Sequence, residues 1–215
     1  TKELLIQAGL NTPEFQVLSP ATLNTFKLNF PCVVKPKDED ASHGLTPASV
    51  VYDTEQLEQQ VRHVSQNFRG YALVEEFIDG REFNASVLGG KDLSLVEISE
   101  ITYTLPPHLP RILTFESKWF EETEYFKGTG VACPAPIDAN LRSIISHAVL
   151  TACSTVGCRG YARVDMRQNG DGRIFVLEVN ANPDISPELG IARQANARGW
   201  TYTQLIEKIV ALALE

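Results

Sequence analysis

An α+β fold follows from three features of the sequence. Two alternating runs flank the turn-forming Asn169-Gly170-Asp171-Gly172 and read as a β-hairpin. Apolar stripes of helical period occupy residues 54–68 and 139–156. Between those helices lie short strand-like runs punctuated by turns at Asp79-Gly80 and Gly89-Gly90.

Residues 2–8 read as the end of a helix stopped by Gly9, and Thr12-Pro13 leads into a short extended piece. The chain therefore opens inside an element, as an excised or truncated domain would. A strand at residues 30–35 precedes a polar loop over 37–47, and residues 49–52 form a second strand. The helix over 54–68 has Asp53 and Gln56 in capping-box positions, with Leu57, Val61 and Val64 on its apolar stripe. Strands follow at 71–77, 82–88 and 93–101. Residues 102–136, rich in Pro and aromatics with weak periodicity, read as a long irregular connection lying across a site. The helix over 139–156 buries Leu141, Ile144, Ile145, Ala148, Val149 and Ala152 and leads into the hairpin. Helices at 187–197 and 202–214 close the chain, the last turning Leu205, Ile209 and Leu212 inward.

The hairpin carries the chemistry. Because side chains alternate across a strand, Val164 and Met166 share one face with Phe175, Leu177 and Val179, leaving Arg163, Asp165, Glu178 and Asn180 on the other. With Asp171-Gly172 as a two-residue turn, Asp165 lies opposite Glu178 and Arg163 opposite Asn180; an Asn169-Gly170 turn keeps the faces but slips the register. Two opposed carboxylates stand roughly 5 Å apart at Cβ and destabilise a sheet unless a cation sits between them. Oxygens of Asp, Glu and Asn with phosphates are what Mg²⁺ favours. The bland alternative is a hairpin with one solvated acidic edge.

Composition permits an enzyme. The 215 residues, 43% hydrophobic and 21% charged, suffice for one large domain or two small ones. A net charge of −8 disfavours a general nucleic-acid binder. No apolar run approaches the roughly 20 residues of a membrane span, so no membrane partner is expected. Cys32, Cys133, Cys153 and Cys158 lack CxxC spacing and any evident disulfide framework, which points to reduced thiols in a cytoplasm.

Three further segments gain meaning once a nucleotide is considered. Lys35 ends an apolar strand at a sheet rim, where its ammonium could reach phosphate oxygens, although a surface lysine looks the same. Ser42-His43-Gly44 forms a small hydroxyl-bearing turn whose amides could cover phosphates. Glu75, Glu76, Ile78 and Glu82 surround the Asp79-Gly80 turn, and their carboxylates and main chain could read a purine and a ribose, or simply be a solvated acidic turn.

In this order the blocks resemble those of ATP-grasp ligases. The segments VVKP at 33–36, VEEFIDGREF at 74–83, ESKW at 116–119, RVD at 163–165 and EVNANP at 178–183 are similar to the ATP-grasp portion of the D-alanine:D-alanine ligase family, over nearly the whole chain. The resemblance implies an ATP-grasp fold of two α+β lobes, residues 1–88 and 89–215, with the nucleotide between antiparallel sheets and a preceding α/β domain absent from this chain. It implies that Lys35 and Lys118 contact ATP phosphates, that Ser42 and Gly44 belong to the loop closing over the γ-phosphate, and that Glu75 with the backbone of Glu76 and Ile78 reads adenine. Glu82 would hold the ribose and Leu177 would pack on the purine. Asp165, Glu178 and Asn180 would hold two Mg²⁺ ions, with Mn²⁺ as a substitute, and Arg163 would act at the reacting carboxylate. Arg163, Lys118 and Ser42 are thus the candidate catalytic residues.

The implied activity is ATP-dependent carboxylate–amine ligation through an acyl phosphate, on a small amino-acid or peptide-like substrate. A homodimer of the full-length protein is left open. Departures from the family pattern fall at the substrate end: Ala41 replaces a serine, Trp119 a tyrosine, Asp184 a glycine and Leu189 a serine that receives the acceptor carboxylate. A carboxylate facing leucine forgoes a charge-assisted hydrogen bond of about 1.5–3 kcal/mol, so Asp184 and Glu188 point instead to a neutral or cationic amine. The alternative function is a non-catalytic MgATP- or ADP-binding regulatory or assembly domain.

Overall fold

A computed structural model describes residues 1–39, 42–68 and 70–214. Ala41, one of the expected departures, lies outside the described residues. In chain order the elements begin α1 (Lys2–Gln7), β1 (Phe15–Leu18), β2 (Cys32–Pro36), β3 (Val50–Val51), α2 (Thr54–Asn67), β4 (Ala72–Glu76), β5 (Arg81–Gly89) and β6 (Ser94–Tyr103). They continue α3 (Glu116–Trp119), α4 (Glu124–Gly128), β7 (Thr129–Ala132), α5 (Ala139–Thr155), β8 (Gly160–Gln168), β9 (Ile174–Asn180), α6 (Gly190–Ala197) and α7 (Tyr202–Ala213). The α+β expectation is borne out by two antiparallel sheets, of order β1-β4-β2-β3 and β7-β6-β5-β8-β9. Among the described residues no helix is long and apolar enough to cross a membrane.

The chain divides into two compact units, one comprising Thr1–Thr12, Asp79–Thr102 and Val131–Glu215, the other Pro13–Ile78 and Tyr103–Gly130. The boundary expected at 88/89 falls inside β5, which is laddered on both sides by β6 and β8 and so belongs wholly with the first unit. That unit buries Phe83, Ala85 and Val87 of β5 with Ile145, Val149 and Ala152 of α5 and Val164, Met166 and Val176 of the hairpin. Leu5 of α1 joins the same core, and Val176 donates its amide to the carbonyl of Asn11. Ile144 is exposed rather than buried, because the inward stripe of α5 runs through Ile145, Ala148, Val149 and Ala152 and Ile144 lies one helical step off it.

On the opposite face of this sheet α6 and α7 pack through Ile191, Ala195 and Leu205 onto Leu88 and Val96, with Ile209 and Leu212 partly buried beside them. Helix α6 starts at Gly190 instead of 187, since Glu188 holds φ +66° and interrupts helical geometry. Its buried Gln194 crosslinks the sheet, accepting from the Ser86 amide at 2.9 Å and donating to Asn84 Oδ1 and Ser99 Oγ, each at 3.0 Å.

The second unit packs α2 over β2 and β4 through Leu57, Val61 and Val64 against Cys32, Val34, Ala72 and Val74. Asp53 caps α2 by accepting from the Gln56 amide at 2.8 Å, but Gln56 Oε1 accepts from Tyr52 rather than Asp53, reaching one residue beyond the capping-box partner. Residues 102–136 are not irregular throughout: they hold α3, α4 and β7. Tyr125 donates to the Pro110 carbonyl at 2.9 Å, and it packs with Ile112 and Val50 in a separate cluster, so these aromatics fill a small core without following one period.

The turn into β5 requires glycine. Gly80 has φ +148°, and a Cβ there would lie 2.0 Å from the Gln168 carbonyl oxygen. Gly80→Ala is expected to cost about 2–4 kcal/mol, read as a lower urea midpoint at unchanged m-value.

Candidate functional site

The hairpin delivers its polar face as expected, by a different route. Gly172 donates to the Asn169 carbonyl and Asn169 to the Arg173 carbonyl, so residues 170–172 form a three-residue loop with Gly172 at φ +83°. Next to the loop Gln168 pairs with Ile174 and Met166 with Val176. A bulge at Leu177 then shifts the register, and beyond it Asp165 opposes Glu178 and Arg163 opposes Asn180. The extra residue also changes which side chains of β9 face the core: Ile174 and Val176 enter it, while Phe175 and Leu177, expected there, remain half-buried outside it.

Around the opposed carboxylates the structure builds a compact network. Arg163 Nε and Nη2 donate to the two oxygens of Asp165, both at 2.7 Å. Asn180 Nδ2 bridges Asp165 Oδ2 at 3.1 Å and Glu178 Oε1 at 3.0 Å. The Asp165 carboxylate raises the pKa of Arg163 above its already high value, so the guanidinium stays charged. Cation and amide together offset the repulsion that two facing acids would otherwise impose. Among the described residues no three His, Cys, Asp or Glu side chains converge on a metal position; the set here is two carboxylates and an amide.

Two polar residues absent from the sequence reading join this face. Arg167, buried, pairs with the somewhat less buried Glu82 at 3.3 Å. It continues the alternation 163, 165, 167, which was the available signal. Asn84 lies opposite Asp165 across β5 and β8 and is held by Gln194. The signal for Gln194 was a polar residue inside the apolar stripe of Ile191, Ala192 and Ala195.

At the far end of the hairpin, Asp184 is exposed and accepts from the Ser186 amide at 2.7 Å. Hydrogen bonds from Ser186, with a smaller contribution from Arg163, hold its carboxyl below the usual range. Leu189, exposed, occupies the N-cap of α6 without a side-chain cap, and a Cβ on Gly190 would lie 3.7 Å from the Asp184 carbonyl oxygen and 3.8 Å from Arg163 Nη1. Arg163, Asp184 and the start of α6 are therefore neighbours.

The second unit holds the remaining candidates. Lys35 and Glu75 stand on the face of β2 and β4 away from the α2 core and form an ion pair of 3.0 Å, with the Glu75 side chain almost fully buried. The Glu76 amide is committed to the carbonyl of Glu14 at 2.9 Å, and Ile78 is buried. Ser42 adopts φ +64° and its Oγ accepts from Lys118 Nζ at 2.9 Å. The Phe115 amide donates to the Leu45 carbonyl, so the loop is tied to the α3 region at two points. Gly44 sits at φ +81° against Pro36 and Phe68. His43 bonds Glu39 at 2.8 Å and stacks edge-on against Phe68. Trp119, more than half exposed, follows Lys118 in α3.

Comparison with known proteins places this arrangement. Residues 4–211 match the family model described as D-ala D-ala ligase C-terminus. An uncharacterised protein, y4sG, of Sinorhizobium fredii is 36% identical over 99% of this chain and 61% of its own length. The D-alanine–D-alanine ligase of Alcanivorax borkumensis is 32% identical over 100% of this chain and 64% of its own length. The chain thus spans less than two thirds of these relatives. A crystal structure of the Bacillus anthracis D-alanine–D-alanine ligase complexed with ATP shares the fold, with TM-score 0.75 and 24% identity, covering 99% of this chain and 64% of that one.

Proposed function

Because this chain belongs to the D-ala D-ala ligase C-terminal family, we propose that it is the nucleotide-binding part of an ATP-dependent carboxylate–amine ligase. The observation that carries this reading is the pairing of Asp165 with Glu178, bound together by Asn180 and neutralised by Arg163. Two carboxylates and an amide oxygen, completed by phosphate oxygens, make a hard donor set that suits Mg²⁺. Turning the Asn180 amide over would present its oxygen to the metal. Bound there, Mg²⁺ supplies charge neutralisation to the triphosphate.

The residues of the chain do the rest by position and charge, as phosphoryl transfer requires. Lys35, held at the sheet rim by Glu75, and Lys118, held by Ser42, are the phosphate cations; Ser42 and Gly44 cover the γ-phosphate. Glu75 with the backbone of Glu76 and Ile78 takes adenine, Glu82 takes the ribose, and Leu177 packs on the base. The donor carboxylate attacks the γ-phosphorus, ADP leaves, and an amine displaces phosphate from the acyl phosphate. Arg163 stabilises the oxyanion that develops at the donor carbonyl, where fixed donors have their largest effect.

For the acceptor we favour a small amino-acid derivative or peptide-like compound whose amine end is neutral or cationic. The support is Asp184, held ionised beside Arg163, and Leu189, which offers no hydroxyl to a carboxylate. Phosphate release by the full-length protein, measured with ATP, Mg²⁺ and a panel of amino acids, their amides and dipeptides, tests the reading. Release that requires both a carboxylate donor and an amine is expected, with amides outperforming D-alanine as acceptor. ATP binding without release under any pair would identify a nucleotide-binding module instead.

A further inference from the structure

Cys153 and Cys158 occupy the two positions that a Schellman-type helix end brings together. The Cys158 amide donates to the Cys153 carbonyl at 2.9 Å, with Gly157 between them at φ +73°. A bond of this span seats the side chains of its two end residues against each other. Both thiols are free, and each affects the acidity of the other. Cys153 is fully buried in the core under the hairpin sheet. Cys158 is half-buried and lines a cavity of about 390 Å³ together with Lys91, Asp92, Ser154, Gly157 and Arg159. One thiol is therefore open to solvent, and the other is buried at the paired position of the helix end.

We propose that Cys153 and Cys158 are a modification site that closes to a reversible intramolecular disulfide under peroxide. The Cys158 thiolate attacks a peroxide oxygen, the O–O bond breaks, and a sulfenic acid and hydroxide result. The Cys153 sulfur then attacks the Cys158 sulfur, the S–O bond breaks, and water leaves with the Cys153 proton. In sum, two thiols and one hydrogen peroxide give one disulfide and two waters, and a dithiol reductant returns the thiols. Burial pushes the Cys153 thiol up to about 12 and raises that of Cys158 as well, which the neighbouring Cys153 thiol partly counters. Since the thiolate is the nucleophile, closure should accelerate about tenfold per pH unit through the neutral range. The bridge would lock the turn that feeds β8, the strand of Arg163 and Asp165. This inference stands apart from the nucleotide reading and survives its failure.

The test is peroxide treatment of the full-length protein at pH 7 and pH 9, alkylation, and tryptic mass mapping without reduction. The peptide 143–159, which contains both cysteines, is expected to lose two hydrogens, to refuse alkylation, and to regain both alkylation sites after dithiothreitol. Closure should raise Tm by about 3–5 °C. Cys158→Ser should abolish the change, Cys133→Ser should not, and Cys153→Ala should leave Cys158 as a sulfenic acid trapped by dimedone. A wild-type peptide that gains oxygen or a dimedone adduct without losing hydrogens, or that remains unmodified at pH 9, overturns the proposal.

Discussion

Replacing Glu178 by glutamine is expected to lower Mg²⁺-dependent turnover of the full-length protein about a thousandfold while leaving its metal-free stability unchanged or slightly higher. The two effects have opposite signs because one group does two things. Facing Asp165 across the hairpin, the Glu178 carboxylate adds repulsion that Arg163 and Asn180 must offset in the metal-free protein. Glutamine keeps the shape and a hydrogen-bonding oxygen but removes that repulsion, a change of a few tenths of a kcal/mol to about 1 kcal/mol. It also removes one of the two anionic ligands proposed for the metal. Thermal melts with and without Mg²⁺-ATP, alongside phosphate release, separate the two effects. A variant that loses stability and activity together would show that Glu178 is a structural acid.

Arg163→Ala is expected to be costly on both counts. The guanidinium makes two 2.7 Å bonds to Asp165, and both side chains are about four-fifths buried. Removing it leaves Asp165 facing Glu178 with only the Asn180 amide between them, a loss of about 2–4 kcal/mol in unfolding free energy. With the role proposed for Arg163 at the donor carboxyl, transition-state charge there would lose a stabilising cation, lowering kcat by about a hundredfold or more. Arg163→Lys distinguishes the contributions: a lysine keeps the charge but cannot make the planar bidentate pair. It should recover more of the stability than of kcat, measured by urea unfolding and by steady-state kinetics.

The opposition of Asp165 and Glu178 was legible in the sequence, yet two unseen features cancel to produce it. A three-residue loop replaces the assumed Asp171-Gly172 turn, and the bulge at Leu177 restores the register lost there. Strict alternation detects neither, because an extra residue in a strand carries no compositional mark; this is also why alternation puts Phe175 and Leu177 in the core in place of Ile174 and Val176. The helices with one long stripe, α2 and α5, were readable because burial follows a single period. Residues 102–136 were not, since Ile112 and Tyr125 pack on Val50, a contact distant in sequence. Lys35 and Ser42 were readable as a cation at a strand end and a hydroxyl in a polar turn. Their partners Glu75 and Lys118 depend on tertiary placement, which only the fold supplies.

Titrating ATP into the full-length protein by calorimetry, once with Mg²⁺ and once with EDTA, tests most directly whether Asp165, Glu178 and Asn180 gather a metal under a triphosphate. An affinity at least about tenfold higher with Mg²⁺, reduced to the EDTA value by Glu178→Gln, is the expected result. Equal affinity in both buffers, or a Mg²⁺ enhancement that persists in Glu178→Gln, would contradict it.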